Sequence, residues 1–257
     1  MERTLNINLS PKQAEAFMIL HSDECRELMA GGAKGGAKTC LGVRWVYYWV
    51  KWLIKFFDLR PSQFPPVLMF MGRKQAVDFN TTTLNTWKRD LPSDAYELRE
   101  QKKLITVDRC ASIQYGGLDD SETIQKFNSA EYAGAWIDQP DECTRRDVGM
   151  IRATMRLKIN GKQPPYKFLL TPNPVISDDP DLQWLKDEFI DNPIAGRKFL
   201  KMLYTDNPYL PSDYGKTLDD AYGFNQSLLL AYRDGDWNQI GIADVVIPRS
   251  MVMQCVD

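Results

Sequence analysis

A mostly parallel α/β sheet with helices on both faces is the fold class this sequence predicts. Three observations carry it. Wholly apolar runs such as Val67-Leu68-Met69-Phe70-Met71 suit strands buried on both faces. Longer helical stretches stand between such runs, the alternation that builds parallel sheets. One short strand, Glu27-Leu28-Met29-Ala30, runs directly into the glycine-rich Gly31-Gly32-Ala33-Lys34-Gly35-Gly36-Ala37-Lys38-Thr39, and a long apolar helix follows.

That glycine-rich stretch organises the chain. From Gly32 it reads G-A-K-G-G-A-K-T, a phosphate-binding loop with Ala37 in place of the last glycine of G-x-x-x-x-G-K-[ST]. Backbone N–H groups from Gly32, Ala33, Lys34, Gly35, Gly36 and Ala37 can point inward at a phosphate chain, and the following helix aims its positive end there. Lys38 reaches the β- and γ-phosphates, and the Thr39 hydroxyl sits on Mg²⁺. ATP and Mg²⁺ are therefore the expected ligands. A glycine-rich surface turn that merely precedes Lys-Thr is the plain alternative; strand, turn and helix in that order speak against it. Ala37 costs roughly 1–2 kcal/mol if its position needs positive φ.

Composition bounds the rest. The chain has 257 residues, 44% apolar and 26% charged, with a net charge of −2, so no standing field draws nucleic acid or an anionic membrane. Cys25, Cys40, Cys110, Cys143 and Cys255 show no C-x-x-C spacing, which fits isolated thiols in a reducing cytosol. With His21 as the single histidine, a His-based metal site or Ser-His-Asp triad is excluded. Met1-Glu2-Arg3-Thr4 lacks a signal-peptide layout. The aromatic run from Val43 to Phe57 is too short for a membrane span and is interrupted by Arg44, Lys51 and Lys55.

In chain order, Ser10 is an N-cap with Pro11 at the first helical position. Gln13 follows in the first turn, and its amide offers the donor and acceptor that an adenine edge requires. A helix is expected from about Lys74 to Asp90, after Arg73 at the carboxyl end of a central strand, where open sheets bind ligands. Leu104–Val107 and Ser112–Tyr115 read as antiparallel strands at one side of the sheet.

Trp136-Ile137-Asp138 is an apolar run ending in an acid, placed to hold Mg²⁺ beside the loop. The next position, where a glutamate often orients the attacking water, is Gln139. An amide orients water but cannot accept its proton. Either Glu142 is the base, or Gln139 only orients water, or the chain is altered to stall hydrolysis. Phe168-Leu169-Leu170 is a further strand, ending at Thr171-Pro172-Asn173, whose polar groups could sense the γ-phosphate or simply cap a turn. A helix over Asp181–Asp191, a strand over Phe199–Tyr204 and short helices up to Tyr232 complete the reading. The expected division is an ATPase core over 1–205, a small helical subdomain over 206–237 and a linker over 238–257.

The Gln13 segment, Gly32–Thr39, Trp136–Glu142 and Leu170–Pro174, in this order, resemble the ATPase domain of tailed-phage large terminases. Asp206-Asn207-Pro208, Gly235-Asp236-Trp237 and Val246-Ile247-Pro248-Arg249-Ser250 resemble the end of that domain. The resemblance implies an ASCE/RecA-like P-loop NTPase that drives double-stranded DNA into a procapsid from the host cytoplasm. Its partners would be a portal protein, a small terminase subunit and further copies in a ring, with no membrane. It places Gln13 against adenine, makes Asp138 the Walker B acid, makes Thr171 and Asn173 a coupling motif, and sets Lys34 where relatives carry a loop arginine. It offers Lys126 as a basic residue acting in trans, with Arg145, Arg146, Arg152 and Arg156 as alternatives. It also implies that a metal-dependent nuclease domain would begin about where this sequence ends. The rival from another class is a nucleotide-binding switch or assembly module with little turnover.

Overall fold

A computed structural model describes residues 8–119, 127, 129–177 and 179–239. The fold rests on one sheet whose strands are β1 (Glu27–Gly32), β2 (Val67–Arg73), β3 (Glu97–Arg99), β4 (Leu104–Val107), β5 (Ala111–Gly117), β6 (Gly134–Asp138), β7 (Lys167–Thr171) and β8 (Arg197–Met202). Their order is β3-β4-β5-β2-β6-β7-β1-β8. Pairing is parallel from β5 to β8, and antiparallel only where β4 meets β3 and β5, at the edge the sequence assigned to antiparallel strands. The parallel strands therefore bring their carboxyl ends to one rim. There Asp138 of β6 is in register with Thr171 of β7, and Gly32 of β1 with Met202 of β8.

Both faces are covered, which explains why β1, β2, β6 and β7 are almost wholly buried. On one face lies α2 (Lys38–Phe56), which packs Leu41, Trp45, Trp49, Val50 and Leu53 into a core shared with Trp87 and Trp136. The other face buries Phe70, Tyr132, Ile137, Phe168, Trp184 and Trp237. The apolar, aromatic run that resembles a membrane segment is thus the central core helix. Among the described residues no helix is long and apolar enough to cross a membrane.

Helix α1 (Pro11–His21) begins as its sequence signals. The Ser10 side chain accepts the Gln13 N–H and the Gln13 side chain accepts the Ser10 N–H, a reciprocal capping box. The helix expected over 74–90 is interrupted instead. Helix α3 (Ala76–Asp78) passes into a π turn, Phe79–Thr83, before α4 (Leu84–Asp90). Thr81 and Thr82 donate their hydroxyls back to the Val77 and Asp78 carbonyls at 3.0 and 2.6 Å, which loosens the regular ladder. The wider turn carries the Thr83 hydroxyl to Asp138, 2.8 Å away. The helix expected over 181–191 is likewise a short turn, Trp184–Lys186, followed by a π turn, Asp187–Asp191. Its Glu188 is buried among Arg145, Arg152 and Arg197.

Candidate active site

The glycine-rich loop leaves β1 and enters α2. Gly32 has φ 146°, and a Cβ there would stand 2.3 Å from the Met202 carbonyl oxygen, so β8 approaches too closely for any side chain. Ala37 adopts the left-handed conformation, φ 56° and ψ 32°, that its deviation from glycine makes costly. Gln13 braces that residue: its Nε2 donates to the Ala37 carbonyl at 3.2 Å, while its Oε1 accepts from the Ser10 N–H and from Arg44 Nη1. Gln13 is 1% exposed, with both ends of its amide engaged by protein. Its place in this structure is under the loop. Substituting Ala37 by glycine relieves the left-handed strain and restores some unfolded-chain entropy, a net gain of about 0.5–1 kcal/mol. Thermal unfolding should then show a Tm roughly 1–4 °C higher, with nucleotide affinity unchanged.

Lys38 is 8% exposed and donates its ammonium to the Gly32 and Ala33 carbonyls at 3.1 and 2.5 Å. Burial, opposed by the charges of Asp141 and Asp138, brings its pKa down to about 8. Asp138, 2% exposed, accepts three hydroxyls, from Thr39 at 3.1 Å, Thr83 at 2.8 Å and Thr171 at 2.9 Å. Burial pushes its carboxyl pKa up while those hydroxyls pull it down. Thr171 is held in turn by the Trp136 indole N–H at 2.9 Å. Because β7 lies between β1 and β6, Thr171 stands between the loop and the acid.

A cavity of about 490 Å³ opens over this rim, lined by Lys34, Lys38, Thr39, Asp138, Gln139 and Asn173 among others. A second, of about 360 Å³, shares Ala37, Cys40, Arg89 and Asn207 with it and continues to Gln13, Arg44 and Tyr209. Together they offer a phosphate compartment and a flatter compartment beside it. The acid and the hydroxyls around it are hard oxygen donors, and Mg²⁺ takes few protein ligands, completing its shell with water and phosphate oxygens. Thr39 and Asp138 fit that ion.

The remaining sequence-predicted residues are placed as follows. Lys34 turns away from the loop's interior: its ammonium donates to the Tyr222 hydroxyl at 2.7 Å and sits over the Tyr232 ring, 4.1 Å from the centroid. Those tyrosines belong to the helices Tyr214–Tyr222 and Gln226–Asp234, which dock on the loop; Lys34 N–H donates to the Tyr232 carbonyl and Asn207 Nδ2 to the Gly35 carbonyl. Gln139 has φ 49° and donates its N–H to the Thr171 carbonyl. Glu142 is held bidentately by Arg73, at 3.0 and 2.6 Å. Asn173 donates its backbone N–H to Asp141 at 3.0 Å. Arg145 pairs with Glu188, Arg152 with Glu27 and Glu188, and Arg156 with Glu131; Arg146 is exposed, with no ion pair among the described residues. Lys126 and the segment Val246–Ser250 lie outside the described residues.

Sequence reasoning missed Thr83, Asp141, Tyr222 and Tyr232. The run Thr81-Thr82-Thr83 was a usable signal, since three β-branched hydroxyl residues weaken a regular helix. The two tyrosines carried none.

A family model described as phage terminase large subunit matches residues 93–236. Among solved structures, the large terminase of a thermophilic bacteriophage aligns at 17% identity over 90% of this chain and 54% of that one, with a TM-score of 0.69. The same thermophilic-phage protein in complex with ATP-gamma-S aligns at 16% identity over 90% and 53%, with a TM-score of 0.67. The bacteriophage HK97 large terminase aligns at 11% identity over 88% and 50%, with a TM-score of 0.60. These identities show a shared fold, and the chain spans about half the length of the structures it matches. No curated protein matches the chain. The family model covers more than half of the sequence, and the chain belongs to the phage terminase large subunit family.

Proposed function

We propose that this chain is the ATPase motor domain of a terminase large subunit, hydrolysing ATP with Mg²⁺ to move double-stranded DNA into a procapsid. The observation that carries the reading is the constellation at the rim: Lys38 in the loop, and Asp138 drawing the Thr39 and Thr171 hydroxyls together. The ATP-gamma-S and ADP complexes of the thermophilic-phage terminase support ATP as the ligand.

In the proposed cycle the loop N–H groups and Lys38 bind the phosphates, Lys38 exchanging the Gly32 and Ala33 carbonyls for β- and γ-phosphate oxygens. Thr39 and Asp138 hold Mg²⁺, which supplies charge neutralisation between those phosphates. Thr171 and Asn173 sense phosphate release from the adjacent strand end. The helices that grip Lys34 carry that change away from the site. The flatter compartment between Gln13 and Tyr209 takes the base. Further proposed partners are a portal protein, a small terminase subunit and other copies of the chain in a ring, assembled transiently on the procapsid in the host cytoplasm.

Incubating the chain with ATP and Mg²⁺ tests this directly. The expected result is ADP release that disappears when EDTA removes the metal. Nucleotide binding without any turnover, with turnover gained only on Gln139→Glu, would instead make the chain a switch or a stalled motor.

A further inference from the structure

The 3₁₀ turn Pro140–Glu142 supplies two carboxylates and sends them to opposite sides of β6. Glu142 goes toward β2, where the Arg73 guanidinium binds both its oxygens. Asp141 goes toward β7 and β1. Its Oδ1 accepts the Asn173 N–H at 3.0 Å and its Oδ2 lies 3.5 Å from Asn173 Nδ2. Among the charges that act on the Lys38 ammonium, Asp141 is the strongest, ahead of Asp138. The strand order gives this split a meaning. With β7 between β6 and β1, Asp141 stands on the phosphate side of its strand and Glu142 on the far side.

We propose that Asp141, rather than Gln139 or Glu142, accepts the proton of the attacking water, an assignment that rests on the ATPase reading above. In the step, the water oxygen bonds to the γ-phosphorus as the bond from that phosphorus to the bridging oxygen breaks. ADP leaves with the electron pair, and the water proton passes to the Asp141 carboxylate. Asn173 aims that carboxylate, so the residue at the end of β7 couples proton acceptance to phosphate state. A base works best with a pKa close to the working pH, and burial pushes Asp141 up to about 6. The groups that face it are Lys38 from the loop, Asn173 from the β7 end, Glu142 and Cys143 from its own turn, and Tyr232 from the C-terminal helix. Glu142 is engaged by a permanent cation, which makes it the poorer acceptor.

The test is steady-state ATP hydrolysis by the whole chain with Mg²⁺, alongside ATP-gamma-S binding and thermal unfolding. Asp141→Asn keeps an acceptor for the Asn173 N–H, so the turn persists. Its kcat should fall by about 100-fold or more, with analogue affinity within about threefold of the parent. Asp141→Glu should restore part of the rate, and Glu142→Gln should lose less than about tenfold. The parent kcat should rise through pH 6, a limb absent from the residual rate of Asp141→Asn. A rate for Asp141→Asn within about fivefold of the parent, or a larger loss in Glu142→Gln, overturns the assignment while leaving the ATPase reading in place. A parent chain that binds the analogue but never turns over ATP overturns both.

Discussion

Replacing Gly42 with alanine is expected to be the most damaging single methyl group that can be added to this protein. Gly42 lies in α2 directly over β6, and a Cβ on it would fall 1.9 Å from Cε2 and 2.0 Å from Cζ2 of Trp136. Trp136 is fully buried and cannot swing aside, because its indole N–H is tied to Thr171 and its ring is packed on both sides. Helix and strand must part instead. Overpacking of this kind costs about 1–3 kcal/mol where neighbours can relax, and more where they cannot. We expect about 3 kcal/mol or more, a fall in Tm of roughly 6–12 °C. The site should suffer too, since Trp136 positions the hydroxyl that Asp138 accepts. Thermal unfolding of Gly42→Ala, and of Gly42→Ala combined with Trp136→Phe, checks this: the second change should recover part of the loss. A Tm for Gly42→Ala within about 2 °C of the parent would show that the helix stands further from the sheet than this packing allows.

Lys38→Ala should leave the fold standing and remove the chemistry. Alanine is the best helix former and suits the start of α2, and the two carbonyls that Lys38 holds, Gly32 and Ala33, can turn to water in the open cavity. What disappears is the charge that balances a triphosphate in a low-dielectric site. ADP release should drop by about a thousandfold or below detection, with a Tm within a few degrees of the parent. Activity surviving in clean protein would remove the loop from the active site.

Much of this site was legible in the chain itself. The loop can be read because glycine, lysine and threonine at fixed spacing have a backbone reason to be there. Asp138 can be read because an acid closing a buried apolar strand has few places to go except a rim. The N-cap at Ser10 and the antiparallel edge were equally local. The rest depended on partners far away in sequence. The π turn before Thr83 answers to Asp138, which lies 55 residues further on. Lys34 reads as a phosphate ligand until Tyr222 and Tyr232, nearly two hundred residues away, take its ammonium. Gln13 has the right groups to read a base, yet here they brace Ala37 and meet Arg44. Asp141 and Glu142 are neighbours of nearly equal chemistry, and only the strand order tells which one faces the phosphates.

The central claim is that one nucleotide site is formed by the loop, Asp138 and the Thr171–Asn173 turn. A crystal structure of the chain with ATP-gamma-S and Mg²⁺ tests it most directly. The account predicts phosphates in the cavity over the loop, Lys38 turned from the Gly32 and Ala33 carbonyls onto them, and the metal between Thr39 and Asp138. A nucleotide bound elsewhere, or one whose phosphates lie outside while Lys38 stays on those carbonyls, would contradict it.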